Sequence, residues 1–447
     1  MDFLNEKIKP IYFQYLAAAF GSALITSIYS IVDMAMVGQY QGPEGTAALA
    51  VVAPIWNIIY SLGLLMGIGG SVIFSTLRGR AEDQKRKSNE YFTVSVIGSA
   101  IVAAIVWIAV IFFDREMLQF FGAEEHLLPL AQEYVFPIKF TIPFFVFNQM
   151  IAAYLRNDKN PGLATAAVLS GGIFNIFGDY FFVFTCNMGI FGAGLATGIG
   201  SVISFLVMIT HFFTKRNTLQ LVKPKRIMRK LRQICVTGFS TFFIDVAMGI
   251  LTILFNRQIV KYLGTNALSV YGIIVNISCF VQCCAYSVGQ ASQPIISMNV
   301  GAGKGERVKE TLRYALGTTA FFAVLWTTLS LTIPNLYVYI FMKPTKEILE
   351  IAPPIIRCYG ISFLLLPLNI FSTYYFQAIM KPKAAFVVSV ARGLLISSIL
   401  IFLLPMAAGG NAIWLSMPLT ELFVAVYVVY KMIYYTKDFQ KDKAVAH

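Results

Sequence analysis

Five ionisable residues interrupt long apolar stretches of this sequence. They are Asp33, Asp179, Asp245, Arg392 and Glu421. Inside hydrocarbon or a dry helical bundle such residues are rare, and they usually mark the paths of ions or protons. Burial disfavours the charged form of a carboxyl group. A proton or a sodium ion that neutralises it can therefore shift the balance between two arrangements of the surrounding helices. Ion-coupled transport is the first chemistry to consider.

The acids in the first half of the chain are the first candidates for this coupling. Asn175 lies four residues before Asp179, so both side chains occupy one face of a helix. If Asp33 approaches Asp179, the two carboxyl groups would titrate as a coupled pair. A possible second ionisable cluster comprises Asp245, Arg392 and Glu421. We interpret its arginine as a counter-ion, and its acids have either a functional or a structural role.

Long apolar runs must position these residues. The sequence is 57% hydrophobic and 13% charged, whereas soluble proteins carry about 25% charged residues. The runs are long enough to cross about 30 Å of hydrocarbon, which predicts an all-α polytopic membrane protein with about twelve transmembrane helices. The predicted spans are 11–38, 47–77, 91–113, 132–154, 163–184, 191–214, 233–262, 267–299, 311–335, 350–379, 384–406 and 411–435.

The apolar pattern occurs twice. Residues 32–103 and 257–322 follow one plan, and the offset between the halves is 226 at Gly38 and Gly264 (264 − 38) and 221 at Pro161 and Pro382 (382 − 161). Six predicted helices precede a basic mid-chain segment, so the second half starts on the same side of the membrane as the first, as in a parallel repeat. We predict a six-helix bundle at 1–214, a basic cytoplasmic linker at 215–232 and a second bundle at 233–447.

The repeat tests whether the acids belong to the scaffold. A scaffold residue should recur in both halves, but the repeat offset pairs Asp33, Asp179 and Asp245 with three apolar residues, respectively Ile259, Leu400 and Ala19. The acids therefore break the symmetry, which is typical of a functional site on a duplicated scaffold.

The distribution of Lys and Arg predicts the orientation. Basic residues fill alternate loops and the linker, whereas the loops at 39–46 and 185–192 contain none. By the positive-inside rule, we predict a multi-pass protein of the cell membrane, inner or plasma, with both termini cytoplasmic. The net charge of +13 then reflects topology mainly. Nucleic-acid binding is the rival explanation, and the regular alternation disfavours it.

Enzymatic chemistry lacks a recognisable motif here. The six cysteines and three histidines show no metal-ligand spacing, and no phosphate-binding loop, nucleophile elbow or His-Glu-x-x-His pattern is present in the sequence. We therefore predict no catalytic residue, no metal and no cofactor other than a coupling ion. Without a nucleotide site, the energy for transport must come from an ion gradient.

One side of the eighth span is unusually polar, which suggests that it faces a substrate cleft. Abundant aromatic and methionine side chains suit a permissive pocket for amphipathic organic cations, although lipid-facing packing explains most of them. The predicted partners are a small-molecule substrate and the lipid bilayer. The predicted assembly is a monomer. The predicted cleft residues are Tyr271, Gln282, Tyr286, Gln290, Gln293 and Asn148.

Several motifs resemble the multidrug and toxic compound extrusion (MATE) transporters of prokaryotes, over residues 10 to 435. These motifs are Val32-Asp33 with Val37-Gly38, Asn175-x-x-x-Asp179 with Gly192-Ala193 and Thr197, and Gly289-Gln290 through Gln293-Pro294-Ile295-Ile296 to Asn299 and Gly301-Ala302. The resemblance implies that a cation site coupled to drug release is lined by Asp33, Asn175, Asp179 and Thr197. The chain departs from the family at Ala18 and Ser240, where the family usually has proline.

The predicted function is export of organic, often cationic, drugs or toxic compounds by antiport with H⁺ or Na⁺, with alternating access between two bundles. A lipid-linked sugar flippase of the same superfamily is an alternative, but such proteins typically add spans and a cationic cleft. A membrane-embedded enzyme would need a convergent His/Ser or metal cluster. An exporter of a narrow endogenous metabolite is a further alternative.

Overall fold

The computed structural model describes residues 2–81, 84–341 and 344–441, except for the side chains of Pro43 and of residues 438–441. Helices dominate these ranges, and ten helical stretches are long and apolar enough to cross a membrane. An eleventh span arises if two short helices that meet at a bend of 60° are counted as one. The continuous stretch Ile227–Gly301 contains 75 residues, or about 110 Å at 1.5 Å per residue. That length exceeds three bilayer cores of about 30 Å.

Gly264 divides this long stretch into two helices. Its φ of 83° and ψ of −173° are not helical, and a positive φ of this kind is open to glycine and costly for other residues. Gly42, with φ 67° and ψ −153°, breaks the first helical stretch in the same way. Dividing 227–301 at Gly264 and counting the bent pair as one span gives twelve spans in the described residues, which confirms the predicted number.

The described residues between 8 and 213 form seven helices. Their bounds are α1 Ile8–Gly42, α2 Glu44–Arg80, α3 Lys85–Phe120, α4 Leu128–Lys139, α5 Ile142–Asn157, α6 Pro161–Tyr180 and α7 Gly189–Ile209. A π-helical turn, Phe181–Thr185, extends α6, and a 3₁₀ turn, Thr210–Phe213, ends α7. The bent pair is α4 with α5, so the single predicted span at 132–154 is wrong as a straight helix. Pro143 is the second residue of α5, and its missing N–H explains why α4 does not continue through it.

The remaining described residues form nine helices. Their bounds are α8 227–263, α9 265–301, α10 Gly305–Thr332, α11 Pro334–Phe341, α12 Lys346–Gly360, α13 Leu366–Ala378, α14 Pro382–Val390, α15 Ile396–Ala408 and α16 Ser416–Lys441. A second π-helical turn, Ala391–Leu395, joins α14 to α15. A 3₁₀ turn, Ile361–Leu364, follows α12, and another, Gly410–Leu415, precedes α16.

The described chain forms two compact units. The first comprises residues 17–242, and the second comprises residues 2–16 together with the part that follows residue 242. In the first unit a buried apolar cluster includes Val37, Val52 and Val146, and in the second it includes Tyr12 and Phe371. The predicted domain division at 215–232 stays a prediction.

A non-helical segment at residues 214–226, which we call the linker strap, is held against the first unit. Asp158, at the end of α5, accepts a hydrogen bond from the backbone N–H of Thr218 at 2.9 Å and another from its hydroxyl group. Further along, the backbone N–H of Val222 donates to Thr93 Oγ1 at 3.0 Å. Buried backbone groups need such partners, so the linker strap is an ordered part of this unit. Residues 227–232, which the sequence assigned to the linker, already belong to α8.

Close packing of α6 on α7 positions Asn175 and Asp179. A Cβ at Gly171 would overlap Ser204 Oγ and the carbonyl oxygen of Gly200, and a Cβ at Gly200 would lie 2.8 Å from the carbonyl oxygen of Gly171. Only residues without a side chain permit this approach. One and two turns beyond Gly171, the side chains of Asn175 and Asp179 are consequently brought against α7.

Candidate functional site

The four residues of the predicted cation site come together inside the first unit. Asp33 lies on α1, Asn175 and Asp179 on α6, and Thr197 on α7. Asn175 Nδ2 donates to Thr197 Oγ1 at 3.0 Å and to Asp179 Oδ1 at 3.4 Å. Asp179 is completely buried, and Asp33 is 8% exposed. The two carboxyl groups are close enough to interact electrostatically. The site therefore concentrates two buried acids in one place.

Tyr134 of α4 joins this site, and the sequence analysis missed it. Its hydroxyl group donates a hydrogen bond to Asp33 Oδ2 at 2.8 Å, and it also lies beside Thr197. The residue is buried, with 4% exposure. Tyr134 falls near the edge of its predicted span, among apolar residues and next to Glu133, so neither its type nor its spacing indicated a role.

Three oxygen atoms of the site accept no hydrogen bond from the described residues. They are Asp33 Oδ1, Asp179 Oδ2 and Asn175 Oδ1, and all three are buried. Among the described residues, no Lys, Arg or His forms an ion pair with either aspartate. A buried polar atom without a partner is unfavourable, so these oxygens are suited to bind a small cation, either a proton or a hard ion such as sodium. The described residues contain no group of three or more His, Cys, Asp or Glu suited to a metal.

The possible second cluster, in the other unit, is only partly assembled. Arg392 Nε donates to Glu421 Oε1 at 2.7 Å, and Asn369 Nδ2 donates to Glu421 Oε2 at 2.6 Å. Glu421 is completely buried, so Arg392 compensates its charge and Asn369 satisfies its other carboxylate oxygen. Asp245 instead accepts a hydrogen bond from Tyr286 at 3.2 Å, and no ion pair joins it to Arg392 in the described part of the chain. Arg392 thus serves as a counter-ion for one of the two acids.

The predicted cleft residues occupy several environments. In the second unit, Tyr271 and Gln282 border a cavity of about 40 Å³ together with Arg392, and Tyr286 also donates to Gln282 Oε1 at 3.4 Å. Gln293 is buried and Gln290 half-buried. In the first unit, Asn148 is buried and donates to the carbonyl oxygen of Ser201 at 2.8 Å. Their assignment to a substrate cleft stays a prediction.

A protein-family comparison matches the chain twice. The MatE family model covers residues 18–181 and again residues 240–403, so the second match starts 222 residues after the first (240 − 18). Together the two matches cover well over half of the chain. They confirm the internal repeat that the sequence analysis described.

Curated relatives and solved structures agree with this match. The multidrug export protein MepA of Staphylococcus haemolyticus is 24% identical over 417 residues, which cover 92% of this chain and 90% of that protein. MepA of Staphylococcus aureus strain MSSA476 is 24% identical, with 88% and 86% covered. An outward-facing multidrug resistance MATE transporter of the MOP superfamily has a TM-score of 0.89 at 19% identity, with 98% of both chains covered. A MOP superfamily transporter from Pyrococcus furiosus has a TM-score of 0.90 at 18% identity, also with 98% of both covered.

These structures share the fold of the chain, and the repeated match to the MatE family model assigns the chain to a family. The protein is a multi-pass membrane transporter of small molecules and not an enzyme, and it belongs to the MATE family.

Proposed function

We propose that this protein exports organic, often cationic, drugs or toxic compounds in exchange for H⁺ or Na⁺, and that Asp33 and Asp179 bind the coupling ion. The observation that carries the proposal is the buried site of the first unit. Two carboxyl groups lie there without a Lys, Arg or His partner among the described residues, and each has one oxygen that accepts no hydrogen bond. The names of the relatives, which describe multidrug export, support the substrate class.

A cation that enters the site removes the charge repulsion between the two carboxyl groups and satisfies their free oxygens. It therefore favours one arrangement of the helices around the site over another. Alternating access between the two bundles follows if one arrangement of the helices opens to one side of the membrane and the other arrangement opens to the opposite side. In this proposal both termini are cytoplasmic, the protein lies in the plasma membrane, and a monomer is sufficient.

The energetics of such exchange are adequate. One positive charge that moves inward supplies about 2.3 kcal/mol per 100 mV of membrane potential. At about 1.4 kcal/mol per tenfold ratio, this energy sustains a roughly fifty-fold concentration gradient of a neutral compound, or of a monovalent cation when two coupling ions enter for each cation exported.

Ethidium transport in proteoliposomes tests the proposal. The full chain is reconstituted, a pH gradient or a sodium gradient is imposed separately, and the rate is compared with that of Asp179→Asn. Asp245→Asn is the matched control, because it makes the same chemical change at a buried acid of the other unit. We expect one gradient to drive transport by the native protein and by Asp245→Asn, and Asp179→Asn to lose the response to that gradient.

The opposite result would relocate the coupling site. Full activity of Asp179→Asn with loss in Asp245→Asn would contradict the proposed role of the first unit. Absence of ethidium transport under both gradients would contradict the proposed substrate class and favour a narrower substrate.

A further inference from the structure

The second unit contains an apolar slot at one end of its helices. The slot is a cavity of about 470 Å³ between α10, α13 and α16. Leu312 and Met432 form its buried floor, and the half-exposed side chains of Val429 and Ile433 form a wall. Lys309 and Lys437 border the same cavity. An apolar wall inside a membrane-spanning segment faces lipid, so the slot is accessible to lipid molecules.

The two lysines mark the level of the membrane surface. α10 begins at Gly305, so Lys309 lies in its second turn. The last span predicted from the sequence ends at residue 435, so Lys437 of α16 lies just beyond it. The two helices therefore present one lysine each near the same membrane boundary, where ammonium groups reach the lipid headgroups.

The depth of the slot matches one acyl chain. Leu316, which lines the slot, lies seven residues beyond Lys309, or about 10 Å along the helix axis. Val429 lies eight residues before Lys437, or about 12 Å. One leaflet of a bilayer has a hydrocarbon depth of about 15 Å. The slot therefore runs from the headgroup level through most of one leaflet.

We propose that this slot binds an anionic phospholipid, with its phosphate between Lys309 and Lys437 and one acyl chain along Leu312, Leu316 and Ile433. Two cations at the mouth favour a headgroup with net negative charge, because a zwitterionic headgroup brings a positive group that competes with the lysines. Glu306 lies 3.3 Å from Lys309, but its side chain is 61% exposed, so water screens its charge. Basic pockets between membrane helices recognise lipids in this way.

Native mass spectrometry of the purified full chain tests this inference and does not depend on transport. Phosphatidylglycerol and phosphatidylcholine with identical acyl chains are added at equal concentration, and the retained molecules are counted. The test variant combines Lys309→Gln with Lys437→Gln. The matched control combines Lys223→Gln with Lys225→Gln, which removes the same charge from the linker strap. A third variant, Ile433→Trp, fills the slot and leaves every charge in place.

We expect the native protein and the linker control to retain phosphatidylglycerol in preference to phosphatidylcholine. Each lysine near a membrane surface increases the affinity for an anionic lipid by about fivefold. The preference for phosphatidylglycerol should therefore fall by at least that factor in the double lysine variant. Ile433→Trp should reduce retention of phosphatidylglycerol without a change in net charge. Equal retention of both lipids by the native protein, an unchanged preference in the double lysine variant, or unchanged retention in Ile433→Trp would overturn the inference.

Discussion

Removal of one hydroxyl group, in Tyr134→Phe, should make the cation site bind its ion more tightly. The hydroxyl group donates to Asp33 at 2.8 Å. A hydrogen bond to a charged group is worth about 1.5–3 kcal/mol, and one to a neutral group about 0.5–1.5 kcal/mol. The bond therefore stabilises the empty, charged carboxylate by up to roughly 1–1.5 kcal/mol more than the ion-bound form, and the full difference applies when the bound ion is a proton. Its loss corresponds to an increase of up to about tenfold in apparent affinity for the coupling ion.

Tyr154→Phe is the control, because it deletes a comparable hydroxyl group away from the acids. Tyr154 is completely buried in the same unit, and its hydroxyl group lies 2.8 Å from Ser95 Oγ. Both variants lose a buried hydrogen bond and should lose about 1 kcal/mol of stability. Only the variant at Tyr134 should change the affinity for the ion.

The assay is thermal unfolding of the purified protein as the ion is titrated. Sodium is varied at fixed pH, with choline keeping the ionic strength constant, and pH is varied separately without sodium. Because a ligand that binds only the folded state stabilises it in proportion to the logarithm of its concentration above Kd, the concentration at which stabilisation begins reports affinity. We expect this concentration to fall by up to about tenfold in Tyr134→Phe. The same onset in Tyr134→Phe, Tyr154→Phe and the native protein would refute the role of the hydroxyl group.

Three further predictions concern stability and order. Replacing Arg392 by Met should lower the free energy of unfolding by about 3–5 kcal/mol, because Glu421 is left buried without its cation. Adding Glu421→Gln should restore much of this loss in unfolding experiments. Strict additivity of the two substitutions would contradict the pairing. Gly171→Ala should destabilise the protein by roughly 1–3 kcal/mol, because the added methyl group overlaps α7. Gly162→Ala should not destabilise it, because nothing lies within 4 Å of the added atom. Equal melting temperatures of the two variants would contradict the close packing. Asp158→Asn should release the linker strap and speed its cleavage in limited proteolysis, and an unchanged cleavage rate would contradict its anchoring role.

The sequence was sufficient for the architecture because hydrocarbon imposes a simple demand. Every span must be long, apolar and helical, so runs separated by glycine or by basic loops could be counted as twelve helices. The bend between α4 and α5 was the exception in this pattern. Pro143 signalled it, but the apolar composition on both sides of that residue concealed the break.

The candidate site was predictable only where its residues are unusual. Acids in apolar spans are rare enough to identify Asp33 and Asp179, and helical spacing adds Asn175. Tyr134 was missed because tyrosine is common in membrane spans and its role depends on a neighbour 101 positions away in the chain. The contacts of the linker strap were missed for the same reason, since a backbone N–H carries no sequence signal for its distant acceptor.

The π-helical turn between α14 and α15 changes how the two halves must be compared. Pro161 and Pro382, which open the equivalent helices, are 221 residues apart, whereas the two family matches are offset by 222 residues at both of their ends. A π-helical turn accommodates one extra residue, and one residue rotates a helix by about 100°. The 221-residue offset pairs Asp179 with Leu400, and one extra residue in the π-helical turn would pair it instead with Ile401, which is buried. An acid transplanted into the second half should therefore be placed at Leu400 and at Ile401 in separate variants, because adjacent side chains on a helix point about 100° apart.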